Sequence, residues 1–183
     1  MVQRVNEQMT RHAQAPCGDA ANNDNRAERL PDKRWGTGLR QAIQIKKLDP
    51  AAIIPAYKKH GDAGFDLYTT RTITIPPRST AILPTGLAFA IPEGFEMQVR
   101  LRSSTGLKTP LIIPNAPGTI DSGYRGEVGI VVRNLSDTAF TVNKGERIAQ
   151  GILAPVFTAS FVEVDQLPES ERGDGGYGST GNT

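Results

Sequence analysis

Residues 95–102 read Phe95-Glu96-Met97-Gln98-Val99-Arg100-Leu101-Arg102, with apolar and polar side chains in strict alternation. Successive side chains of a strand point to opposite faces, so a period of two predicts a strand with one face in a core and one in water. Similar, less regular patterns lie at Ala42–Lys46, Thr72–Ile75, Val128–Val132, Phe140–Val142 and Val156–Val164. Turn-forming residues separate them: Pro76-Pro77, Pro84-Thr85-Gly86, Pro92-Glu93-Gly94 and Asn143-Lys144-Gly145. Many short strands divided in this way predict an all-β fold, a sandwich or a jelly roll. Helical pattern is scarce, and one short turn is expected near Ser103–Lys108.

Composition changes at both ends of this region. Residues 1–38 are polar and carry no apolar periodicity, which predicts a disordered N-terminal tail with Trp35 as its one bulky anchor. Residues 39–168 form the expected β domain. From Glu169 to Thr183 apolar content collapses and glycines crowd together. Composition alone reads that end as a disordered tail. A Gly-rich arm is also able to close over phosphates, because its backbone N–H groups approach anions closely and Arg172 adds a fixed charge.

The bulk properties narrow the function classes. A chain of 183 residues suits one domain with its own core. Aromatic residues are only 6%, so aliphatic side chains must fill that core. The formal net charge of +2 is too weak a bias to argue for nucleic-acid binding. No apolar run has membrane-spanning length, and no secretory-signal core precedes the domain. Glu7, Asp19 and Asp24 weigh against a transit peptide. Cys17 is the single cysteine, so no intrachain disulfide forms and a cytoplasmic location is expected.

Five polar clusters interrupt the strand pattern. Asp62-Ala63-Gly64-Phe65-Asp66-Leu67, taken alone, is a turn acid before a strand. Arg102-Ser103-Ser104 is a polar strand end, a short helix cap or a phosphate clamp, since guanidinium and hydroxyls match phosphate oxygens. Residues 115–127, NAPGTIDSGYRGE, carry an amide, an acid and a phenol between two strand-like runs, and by themselves read as a turn-rich hairpin. Gly145-Glu146-Arg147-Ile148-Ala149-Gln150 enters the apolar run Ile152-Leu153 as an ordinary strand start. The Gly-rich end is the fifth.

Their joint order is more informative than any one of them. In sequence, the five clusters resemble the five motifs of the trimeric dUTP pyrophosphatases, over residues 41 to 183. The resemblance implies a jelly-roll-like β-sandwich assembled as a homotrimer, with sites between subunits and a mobile C-terminal arm. It implies hydrolysis of dUTP to dUMP and pyrophosphate with Mg2+, which keeps uracil out of DNA and supplies dUMP for dTTP synthesis.

Residue roles follow from the same resemblance. Asp121 matches the general base that activates water, and Gln150 helps hold that water. Asp66 supports magnesium indirectly, through water. Arg102, Ser103 and Ser104 contact phosphates. Asn115, with the hairpin backbone at Gly118, Thr119 and Ile120, reads uracil, and Tyr124 packs under the deoxyribose and rejects a 2′-hydroxyl. Arg172, Gly176, Tyr177, Gly178 and Ser179 belong to the arm, with Thr180 beside them. Tyr177 stands where the family usually has Phe and keeps an aromatic face for stacking.

Two rivals remain in view. A dCTP deaminase of similar fold shares the Arg-Ser-Ser run, but it needs a glutamate where this chain has Val131. An aliphatic side chain moves no protons. A catalytically silent nucleotide-binding regulator would not need Asp121, Asn115, Tyr124 and the arm together.

Overall fold

A computed structural model describes residues 40–176. The tail expected at 1–38, Trp35, and arm residues Tyr177, Gly178, Ser179 and Thr180 lie outside the described residues. The fold is β throughout, apart from one short helix. Strands β1 (Gln44–Lys47), β2 (Phe65–Tyr68), β3 (Ile73–Ile75), β4 (Thr80–Pro84), β5 (Leu87–Ala90) and β6 (Phe95–Leu101) lead to helix α1 (Ser103–Lys108). Strands β7 (Leu111–Ile112), β8 (Gly118–Ile120), β9 (Gly129–Asn134), β10 (Phe140–Val142) and β11 (Arg147–Pro155) follow. The sheets run β2-β11-β6-β8, β4-β9-β7, β1-β5 and β10-β3, and every pairing is antiparallel.

The alternation in β6 works as its sequence dictates. Met97 and Val99 are buried, while Glu96, Gln98 and Arg100 share the other face. There Gln98 Nε2 donates to Glu96 Oε1 at 2.6 Å, and Arg100 Nε donates to Gln98 Oε1 at 3.1 Å. In β9 the same rule buries Ile130, Val132 and Asn134. One apolar cluster gathers Leu67, Ile75, Leu83, Phe89, Met97, Leu111, Val132, Val142 and Ala149, so strands of all four sheets share it. Burying each large aliphatic side chain contributes about 1.5–3 kcal/mol. Among the described residues, Phe65 and Phe89 are the aromatic rings of the buried core, stacked at 6.2 Å. Gly151 on β11 admits the Phe65 ring, because a Cβ there would sit 2.5 Å from it.

Turn chemistry also holds. Gly86, Gly94 and Gly145 end the three Gly-containing turns with φ of 67°, 81° and 82°, a region that costs side-chain-bearing residues energy. Asn134 is fully buried and ties two connections together. Its Nδ2 donates to the carbonyls of Ile75, Pro76 and Thr138, and its Oδ1 accepts from the Ser136 N–H and hydroxyl.

One expected strand is absent. Val156–Val164 alternates like a strand, but the ladder stops at Pro155, followed by a single Val156 N–H bond to the Gly94 carbonyl at 2.9 Å. Beyond it Phe157 and Phe161 are 91% and 95% exposed. A strand exists by pairing, and among the described residues no strand pairs with this segment beyond Val156.

Candidate active site

Two clefts hold the described polar clusters. The first, of about 380 Å³, is built around β8 and the loops on either side of it. Asn115 enters it from the β7–β8 loop, Gly118, Thr119 and Ile120 from β8, and Asp121 and Tyr124 from the β8–β9 loop. Val99, Ile113, Ile82 and Val131 supply apolar walls. The pairing of β8 with β6, Thr119 opposite Gln98 and Gly118 opposite Val99, fixes where this hairpin stands. Gly118 is buried, with the Asn115 amide and Val99 close around its α-carbon. Asp121 and Tyr124 are exposed. The Tyr124 N–H closes a turn on the Asp121 carbonyl at 3.1 Å, and its hydroxyl donates to the Glu127 carbonyl at 2.9 Å.

The second cleft, of about 550 Å³, is lined by Lys58, Lys59, Asp62, Gly64, Asp66, Arg102, Ser103, Ser104, Arg147 and Gln150. Asp66, on β2, is the most buried charged side chain there. Arg102 Nε approaches its Oδ1 at 2.8 Å, and Arg147 Nη1 approaches its Oδ2 at 3.0 Å. A carboxylate offers about four lone-pair sites, so each oxygen still has room for a water. Gln150 pairs with Asp66 across β11 and β2, and its Nε2 donates to the Leu101 carbonyl at 3.3 Å. A Cβ at Gly64 would sit 2.5 Å from Gln150 Oε1, so glycine is what lets that amide lie over the loop.

The sequence-predicted residues are therefore only partly gathered. Asn115, Gly118, Thr119, Ile120, Asp121 and Tyr124 share the first cleft, while Asp66, Arg102, Ser103, Ser104 and Gln150 share the second. Arg172 lines neither, and its Nε donates to its own turn at the Gly175 carbonyl, 2.9 Å away. Gly176 is also outside both. Sequence reasoning gave no role to Arg147, Lys58, Lys59 or Glu127. The Asp66–Arg147 pair spans 81 positions and leaves no local pattern to find. Where a deaminase would need its glutamate, the first cleft presents the aliphatic Val131.

Magnesium fits this donor set only indirectly. Both Asp66 oxygens already accept from guanidinium groups. Among the described residues, no group of three or more His, Cys, Asp or Glu side chains could hold a metal ion. A metal beside Asp66 would have to be held by another ligand and reach the carboxylate through water.

Comparison with known proteins identifies the family. The dUTPase family model matches residues 50–181. The deoxyuridine 5'-triphosphate nucleotidohydrolase of Nautilia profundicola is 48% identical over 139 residues, 76% of this chain and 98% of that protein. The same enzyme of Helicobacter pylori strain P12 is 44% identical, covering 76% and 96%. Among solved structures, the dUTPase of Staphylococcus bacteriophage 80alpha with dUpNHpp superposes with a TM-score of 0.72 at 30% identity, covering 78% of this chain and 99% of that one. A phage phi11 dUTPase variant described with a structural Mg(II) ion superposes at 0.63 and 28% identity, covering 69% and 98%. The ordered polar clusters, the sheets that carry them and these likenesses converge: the chain belongs to the dUTPase family.

Proposed function

We propose that this protein hydrolyses dUTP to dUMP and pyrophosphate by attack of water on the α-phosphorus, removing a precursor of uracil in DNA and supplying dUMP. The observation that carries the reading is the first cleft, where an amide, a carboxylate and a phenol meet on one hairpin against apolar walls. Uracil would lie against the hairpin backbone at Gly118–Ile120, with the Asn115 amide at its edge. A fixed pattern of donors and acceptors rejects cytosine, because exchanged groups leave partners unpaired. Tyr124 would pack beneath the deoxyribose and clash with a 2′-hydroxyl. The Asp121 carboxylate would take the proton from the attacking water. Arg102, Ser103 and Ser104 would bind phosphates, and no Ser103 or Ser104 hydroxyl bond competes among the described residues. Bound chiefly by the triphosphate, Mg2+ would neutralise phosphate charge, with Asp66 supporting it through water.

The working site belongs to a homotrimer in this reading. Asp121 and Gln150 line different clefts of one chain, and in this reading the working site would join clefts of neighbouring copies. The exposed Phe157 and Phe161, on an alternating segment with no ladder partner among the described residues, suit docking on that copy. The Gly-rich arm with Arg172, Gly176, Tyr177, Gly178 and Ser179 would then close over the nucleotide. The testing experiment is pyrophosphate release from dUTP, dCTP, dTTP and UTP, with and without magnesium. Strong preference for dUTP and dependence on magnesium are expected, and equal rates on dCTP would refute the base-reading assignment.

A further inference from the structure

We propose that Lys58 and Lys59 form an additional anchor for the pyrophosphate end of the nucleotide, which rests on the dUTP-hydrolysing reading above. Both line the second cleft beside Arg102, Ser103 and Ser104. The loop that carries them is built rather than loose. At its root Tyr57 packs edge-on against Phe65, with ring centres 5.7 Å apart, on the strand that also carries Asp66. At its tip the Lys59 N–H donates to Asp62 Oδ2 at 2.8 Å, the Asp62 N–H returns to the Lys59 carbonyl at 3.3 Å, and Gly61 turns the chain with φ of 84°.

The carboxylates of the cleft are already engaged. Asp66 is held between Arg102 and Arg147, and Asp62 accepts from the Lys59 backbone. Neither lysine ammonium has an ion-pair partner among the described residues. Four cations, Lys58, Lys59, Arg102 and Arg147, face two carboxylates in this cleft, an excess of two positive charges. A polyanion is the ligand that such an excess attracts. Uracil and sugar are neutral and belong to the first cleft, so the anionic end is the part of dUTP left for this one. Lysine acts on phosphate as a flexible point charge, which suits holding an end group that must leave after the bond breaks.

The test uses the full chain and the variants Lys58→Gln, Lys59→Gln and the double variant. Titration calorimetry with inorganic pyrophosphate and with dUMP reads binding without turnover. The double variant is expected to weaken pyrophosphate binding about ten-fold, to change dUMP binding less than about two-fold, and to lose most of this difference in high salt. Its KM for dUTP should rise by more than its kcat falls, and Lys→Arg replacements should restore binding. Unchanged pyrophosphate affinity, or equal weakening of pyrophosphate and dUMP, would overturn the proposal. A parent protein that releases no pyrophosphate from dUTP would instead overturn the proposed function, while the calorimetric comparison still decides the lysines.

Discussion

The Tyr124 hydroxyl donates to the Glu127 carbonyl at 2.9 Å, spanning Gly126, where any Cβ would run into the hydroxyl end of the phenol. Glu127 is fixed in turn, because its Oε1 accepts from the Gly86 N–H at 2.7 Å. Thr85 and Leu87 clamp the neighbouring Val128 through bonds of 2.6 and 2.9 Å. The phenol that would exclude ribose is thus tied to a turn outside its own hairpin. A Cβ at position 126 would overlap the ring, and Gly126 has no left-handed φ that would add backbone strain.

Gly126→Ala should therefore tilt Tyr124 and lower the ratio of kcat/KM for dUTP over UTP, by about ten-fold on the scale of one displaced steric contact. Tyr124→Ala should lower it further. Steady-state kinetics on both nucleotides check this. If both rates fall equally, the ring is structural and the steric explanation fails.

Asp66→Asn removes the charge that holds two guanidinium groups. The carboxylate is largely buried, while Arg147 is partly exposed, so water moderates the loss. A cost of about 1–3 kcal/mol is expected, read as a lower melting temperature. A variant that melts like the parent would show that the pairs contribute nothing net.

Asp121→Asn should leave dUMP binding nearly intact and slow turnover by about 10²–10⁴, the usual contribution of a general base. Single-turnover rates at saturating dUTP check this. Near-normal turnover would remove Asp121 from the chemistry.

Much of this layout was legible in the chain, and the exceptions have physical causes. Residues 95–101 show their strand because alternating burial leaves a local period of two. Ser103–Lys108 forms the helical turn expected there. Val156–Val164 carries the same period and yet forms no strand, since alternation records which faces want cover and not whether a partner is present. Strand β5 was harder to see, because Leu87, Ala88 and Phe89 are buried on both faces and do not alternate. The division of the motifs between two clefts leaves no mark on composition or periodicity, and only the family resemblance, with its sites between subunits, pointed towards it. It depends on β6 lying between β8 and β11, a long-range pairing that motif order does not encode.

Subunit mixing tests whether Asp121 and the arm reach one site from different copies of the chain. An Asp121→Asn chain and a chain ending at Glu171 should each be inactive. Refolded together in equal amounts as trimers, they should recover activity in about a quarter of sites, if Asp121 and the arm reach a site from different subunits and chains mix at random. Light scattering on each parent and on the mixture should show trimers. A mixed, trimeric and inactive sample would contradict the shared site.

The central claim is that water attacks the α-phosphorus of dUTP. Hydrolysis in water enriched in oxygen-18, followed by mass spectrometry of both products, reads the position of attack directly. The expected result is one heavy oxygen in dUMP and none in pyrophosphate. Label in pyrophosphate, or release of orthophosphate in its place, would contradict the claim.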